Sequence, residues 1–173
     1  MSATTRPPRF ICDVHLGKAA KLLRLLGFDT LYRNTYTAWE IVRVAEAECR
    51  IILTRDRGLL KRKNGTSCLG IRATNAREQI REVVKACGLR DRIRPFSRCL
   101  ICNTPVIPVS RHEALTDAPP RVRGSFTEFC RCPGCGRLYW PGSHYRRMEA
   151  WIAHICASGH SSSPDQDIEN DGH

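Results

Sequence analysis

Two Cys-x-x-Cys pairs, Cys99/Cys102 and Cys132/Cys135, stand about thirty residues apart, the second in the run Cys132-Pro133-Gly134-Cys135-Gly136. No other feature limits the fold so tightly. Each pair sets two thiolates on one tight turn, and two such turns complete a tetrahedral zinc site with no open position for catalysis. Gly134 and Gly136 are expected to take the left-handed backbone of such a turn. A disulfide framework would need an oxidising compartment, yet residues 1–8 carry no apolar segment of a secretory signal. No stretch approaches the apolar length of a membrane span, so the expected location is cytoplasmic and no membrane partner is expected. A redox Cys-x-x-Cys usually occurs once beside a βαβ unit, whereas a pair of pairs reads as a chelate. Cys12, Cys49, Cys68, Cys87, Cys130 and Cys156 stand singly, mostly among apolar neighbours, where cysteine acts as a small hydrophobe. That scatter does not support a redox or zinc-sensing role, and of the six only Cys130 is placed to compete for the metal.

With 173 residues, 42% of them apolar, the chain can bury one ordinary core plus a small metal-stapled module. Its charge is uneven. Residues 1–98 carry 21 Lys and Arg against 9 Asp and Glu, residues 99–157 carry 7 against 4, and residues 158–173 carry 4 acids and no Lys or Arg. A positive field on the N-terminal part suits a polyanionic partner, because phosphates draw Lys and Arg through counterion release. The plainer alternative is a soluble basic surface.

Phe10-Ile11-Cys12 reads as a strand ending at Asp13, followed by a helix over 16–26 that Gly27 closes as a C′ glycine. A second strand is expected over 28–32. Thr37-Ala38-Trp39-Glu40 then forms a capping box that opens a helix through Glu48. Ile51-Ile52-Leu53-Thr54 is the clearest strand, with Asp56 at its end, and 69–73 reads as a fourth. Asn75 caps a last amphipathic helix that runs through Ala86 and stops at Gly88. Strands alternating with helices at this spacing imply an α/β unit over 9–94, a parallel sheet flanked by helices on both faces. From Pro95 prolines, cysteines and short strand-like pieces take over, so a second unit is expected over 95–157, with the boundary near 92–98. It ends in a helix over 144–156 that gathers Met148, Trp151, Ile152 and Ile155 on one face for docking. Residues 158–173 have the composition of a disordered tail.

Ligand sites of open parallel sheets lie outside the carboxyl ends of the strands, where Asp13 and Asp56 fall. Glu40, in the first turn of the second helix, can face the same edge. Converging carboxylates repel one another unless a cation sits among them, and hard oxygen ligands favour Mg²⁺ or Mn²⁺. The chemistry expected of such a site in a basic unit is phosphodiester cleavage, with Arg55, Arg57, Lys61, Arg62 and Lys63 supplying phosphate-binding charge. Each residue also has a purely structural reading. Asp13 would serve as a helix N-cap, Glu40 as the N3 member of its capping box, Asp56 as the partner of a neighbouring arginine, His15 as filler at the sheet edge, and the basic run as a solvated face.

Three N-terminal stretches, 10–18, 23–30 and 52–60, resemble the Mut-seven C-terminal RNase domain family, a branch of the PIN-like nucleases. They read Phe-Ile-Cys-Asp-Val-His-Leu-Gly-Lys, Leu-Arg-Leu-Leu-Gly-Phe-Asp-Thr and Ile-Leu-Thr-Arg-Asp-Arg-Gly-Leu-Leu. The later stretches 95–103 and 131–140, with Gly142-Ser143-His144-Tyr145 after them, are similar to the family's zinc ribbon, so the likeness spans roughly 9–150. It implies a PIN-like fold, Mg²⁺- or Mn²⁺-dependent cleavage of RNA, and an acidic pocket onto which Asp13, Glu40 and Asp56 map. The chain departs from the family in two places. Asn75 is the nearest polar residue where PIN-like nucleases commonly carry a fourth acid, and Ala38-Trp39 precede Glu40 where relatives tend to be acidic. The leading expectation is a metal-dependent ribonuclease whose zinc ribbon braces the fold or helps grip RNA. The rival is a non-catalytic RNA-binding or assembly module, and the oligomeric state stays open.

Overall fold

The computed structural model describes residues 6–61 and 65–157. The expected tail over 158–173, and Arg62 and Lys63 of the basic run, lie outside the described residues. The chain runs through β1 (Phe10–Cys12), α1 (Gly17–Leu25), β2 (Thr30–Leu31), α2 (Ala38–Glu48), β3 (Ile51–Thr54), α3 (Arg57–Lys61), β4 (Cys68–Gly70) and α4 (Ala76–Ala86). All four strands pair in parallel, in the order β2-β1-β3-β4. Successive strand side chains point to opposite faces. Phe10, Cys12 and Leu53 accordingly join one core with Ala19, Leu23 and Ile80, while Ile11 and Ile52 join a second with Ile41, Ala45 and Leu59. Helices thus cover both faces, α1 and α4 on one and α2 and α3 on the other.

β2 and β4 are shorter than the sequence suggests, for local reasons. Phe28 is drawn into the turn that ends α1, where its N–H donates to Leu23 O at 3.0 Å and its ring meets Phe10 edge-on at 6.0 Å. Past Gly70, Ile71 N still reaches Thr54 O, but Arg72 N and Ala73 N donate to the Glu82 carboxylate and leave the sheet. The first helix begins later than expected, because Val14–Leu16 form a 3-10 turn before α1. The short helix α3 was not expected from the sequence.

β5 (Ile107–Val109), α5 (Arg111–Leu115), α6 (Pro120–Arg123), β6 (Phe129–Arg131) and β7 (Leu138–Tyr139) follow, the three strands forming an antiparallel sheet in chain order. Its own core is small: Ala114, Val122 and Phe129. The final helix, α7 (Ser143–Ala157), does not pack there. Trp151, Ile152 and Ile155 enter the Phe10 core of the parallel sheet, and Arg77 of α4 lies 5.6 Å above the Trp151 ring. Among the described residues no helix is long and apolar enough to cross a membrane.

Candidate active site and metal centre

The chain leaves β1 for β2 on one side and reaches β3 on the other, so the carboxyl ends of β1 and β3 flank the switch point where ligands of open α/β sheets bind. Asp13 follows β1 and is buried, at 3% exposure. Its Oδ1 accepts the His15 N–H at 2.8 Å, capping the 3-10 turn, while Oδ2 accepts the Arg55 N–H at 2.7 Å and the Thr54 hydroxyl. The Thr54 oxygen in turn accepts the Asp56 N–H at 2.9 Å. One hydroxyl therefore bridges the segments that carry the two aspartates. Asp56 is exposed and forms no ion pair among the described residues. Its Oδ1 accepts the Gly58 N–H at 2.6 Å and its carbonyl accepts the Leu60 N–H at 3.2 Å, so it caps α3 rather than pairing with an arginine.

Glu40 stands at the start of α2, which begins at this edge because the helix returns antiparallel to β2. Its Oε2 accepts the Thr37 N–H and hydroxyl, both at 2.8 Å, and these bonds, aided by the Arg43 and Arg33 guanidiniums, hold its carboxyl below the ordinary range. No hydrogen bond links Glu40 to either aspartate. Asn75 caps α4 by accepting the Arg77 N–H at 2.8 Å. Asp13, Glu40, Asp56 and Asn75 thus all cap helical starts along one edge, and the second oxygen of Glu40 and of Asp56 accepts no hydrogen bond among the described residues. His15 is mostly exposed, its Nδ1 3.6 Å from Asp13 Oδ1. Arg55, Arg57 and Lys61 are exposed and pair with no acid among the described residues. Sequence reasoning missed Thr54. The available signal was a hydroxyl closing an otherwise aliphatic strand just before an acid.

The four cysteines are brought together, and among the described residues theirs is the group of potential metal ligands whose atoms all lie within 4.8 Å of one another. Cys99 Sγ is 3.5 Å from Cys135 Sγ, and Cys102 Sγ is 3.3 Å from Cys132 Sγ. Those separations far exceed a disulfide's length of about 2.05 Å. They approach the spacing of about 3.8 Å that tetrahedral geometry gives with metal–sulfur bonds of about 2.3 Å. Cys130 lies in β6, outside the quartet. The residue after each pair takes the left-handed backbone, Asn103 at φ 69° and Gly136 at φ 75°. Gly134 does not, contrary to expectation. It is needed for close approach instead: a Cβ there would meet Thr104 Oγ1 at 2.6 Å.

The first cysteine turn is bound to the sheet. Arg24 of α1 donates from Nη1 to Leu100 O at 3.0 Å and Ile101 O at 2.7 Å, and from Nε to Thr30 O at 2.9 Å. Asn103 accepts the Thr30 N–H at 3.0 Å and donates to Asp29 Oδ1 at 2.8 Å, which Arg50 Nη1 also reaches at 2.6 Å. Thr30 and Arg50 begin or precede β2 and β3, so this contact sits at the amino edge. From Arg9 to Asp13, four strand steps of about 3.3 Å put the aspartate edge about 13 Å away. The cysteine quartet supports the sheet from beneath and lies away from the aspartate edge.

No curated protein and no solved structure matches the chain. Residues 8–152, which take in both aspartates, Glu40, Thr54 and the whole cysteine quartet, match the family described as the Mut7-C RNAse domain. The chain belongs to that family of ribonuclease domains.

Proposed function

We propose that this chain is a PIN-like ribonuclease that hydrolyses RNA phosphodiester bonds with Mg²⁺ or Mn²⁺ held by Asp13, Asp56 and Glu40. The observation that carries the reading is the Thr54 hydroxyl bridge, which fixes Asp13 and the Asp56 segment at adjacent strand ends of the switch point. The donor set suits a hard cation. Among the described residues Asp56 Oδ2 and Glu40 Oε1 accept no hydrogen bond, and Asp13 fills three of a carboxylate's roughly four acceptor sites. When bound, such an ion supplies charge neutralisation at the phosphate and a more acidic water. Asp13, buried and tied to β3, sets the position of the ligand edge. In this reading Asp56 and Glu40 supply further ligand oxygens, and Arg55, Arg57, Lys61 and Arg62 hold the RNA backbone.

The cysteine quartet is read as a structural zinc site, one ion per chain. The division is then a nuclease unit over 9–94 and a zinc ribbon with its C-terminal helix over 95–157. No disulfide joins any of the described cysteines, which suits a reducing compartment such as the cytoplasm.

A non-catalytic RNA-binding or assembly module is the second reading. It is favoured by the capping work every acidic position performs and by Asn75 in place of a further acid. Incubating wild type and Asp56→Asn with labelled RNAs, with Mg²⁺, with Mn²⁺ and with EDTA, decides between them. Cleavage that needs the ion and Asp56 supports the nuclease; wild type that binds RNA and never cuts it supports the module.

A further inference from the structure

An isolated exposed apolar side chain needs no explanation. Trp39 is 66% exposed, but its surroundings are not those of a stray surface residue. It lies in the first turn of α2, beside Glu40, and the Arg43 guanidinium carbon sits 4.9 Å from its ring centroid. A second pair stands in the loop leading into α2, where the Arg33 guanidinium carbon lies 5.7 Å from the Tyr36 ring centroid. Arg33 and Tyr36 lead into α2 just before Glu40, and Trp39 and Arg43 flank it in the first turns, so both aromatic–cation pairs stand near one candidate ligand at the carboxyl edge of the sheet. A guanidinium on one face of an indole leaves the other face for a flat partner and sets positive charge beside it. Bases have such a face, and they offer it to a protein only where they are unstacked and unpaired.

We infer that Trp39, backed by Arg43, is a stacking platform for an unpaired nucleobase next to the site of cleavage, and that it makes the chain prefer single-stranded RNA to duplex. The inference rests on the RNA-directed reading above. The phosphate-binding residues Arg55, Arg57 and Lys61 act on either form of RNA alike, whereas an indole that has to stack on a free base rewards only the single strand.

The test is binding without cleavage, in the Asp56→Asn background and at one fixed salt concentration, to a single-stranded oligouridine and to a duplex of equal length. Trp39→Ala should lower affinity for the single strand by about 5- to 150-fold, the range found for removing one stacking ring. Trp39→Phe should keep most of that affinity, duplex binding should not change, and the salt dependence should stay the same because no phosphate contact is lost. Because Trp39 is exposed, both variants should melt with the parent. A Trp39→Ala protein that binds the single strand as its parent does, or that loses duplex binding equally, overturns the platform and leaves the ribonuclease reading standing. A parent that binds neither RNA overturns both.

Discussion

Asp13 and Asp56 are proposed for the same chemistry, yet their hydrogen bonds predict different costs for the same substitution. In Asp13→Asn the amide oxygen can still accept the His15 N–H, but the amide nitrogen then faces two donors, the Arg55 N–H and the Thr54 hydroxyl. The hydroxyl can rotate and the backbone N–H cannot. Turning the amide over merely moves the conflict to His15. One part-buried backbone donor is left facing the amide nitrogen either way, at a cost of about 1–3 kcal/mol. At about 2–4 °C per kcal/mol for a chain of this size, Tm should fall by about 2–12 °C. In Asp56→Asn the amide oxygen keeps the Gly58 N–H and the nitrogen takes the place of an oxygen with no partner among the described residues. Asparagine caps helices as well as aspartate does, so the change should stay within about 0.5 kcal/mol, or about 2 °C. Both variants should lose Mg²⁺-dependent cleavage by orders of magnitude. Thermal melts read by circular dichroism, beside cleavage assays on the same preparations, check both statements. Equal melting of the two variants would refute the buried network around Asp13, and wild-type cleavage by Asp56→Asn would falsify its role as a ligand.

Three further outcomes are expected. Elemental analysis should find one zinc per chain, and Cys132→Ser should unfold or melt far below wild type, because structural zinc contributes on the order of 10 kcal/mol to such modules; a folded, metal-free preparation would count against the site. RNA affinity should fall steeply as salt is raised, and Arg57→Glu with Lys61→Glu should weaken binding to all sequences alike; affinity indifferent to salt would leave the basic run a solvated face. Burial alone would raise the Asp29 carboxyl, but hydrogen bonds from Arg50 and Asn103 outweigh it and hold the group below its ordinary value. A depressed folded-state pKa gives stability that is present above the unfolded value of about 3.9 and lost as pH falls through the folded one. Asp29→Asn should therefore be less stable than wild type at neutral pH, with the gap in urea midpoints closing in acid. A gap that stays constant to low pH would show that Asp29 carries no such linkage.

The strands that hold the proposed site were legible because their signals are local. Phe10-Ile11-Cys12 and Ile51-Ile52-Leu53-Thr54 are buried apolar runs, each followed within two residues by an acid, and the cysteine spacing carries its own geometry. What was not legible depends on partners far along the chain. Glu82 ends β4 by taking the N–H groups of Arg72 and Ala73, and Thr104, not backbone conformation, is what excludes a side chain at Gly134. Thr54 was hidden because threonine is an ordinary strand former, so its hydroxyl raised no signal until β1 was set beside it. Capping and metal binding could not be separated at Asp13 or Glu40, because both tasks ask for a carboxylate at a helical start.

The docking of α7 sets an order on how the molecule can be completed. The core built around Phe10, Leu23 and Ile80 is closed by Trp151, Ile152 and Ile155, which are synthesised last among the described elements. At about 5–20 residues per second, the stretch from the end of α4 to Ile155 takes about 3–14 s to emerge, and throughout that time one flank of the sheet keeps an uncovered apolar surface. Both cysteine turns, the first of which rivets the chain to the sheet's lower edge through Arg24 and Asn103, lie within that same stretch. On the zinc reading, all four ligands are therefore made before the residues that close the core. In a cell starved of the ion, the first casualty would be the yield of soluble chain, ahead of any change in what the finished molecule can do.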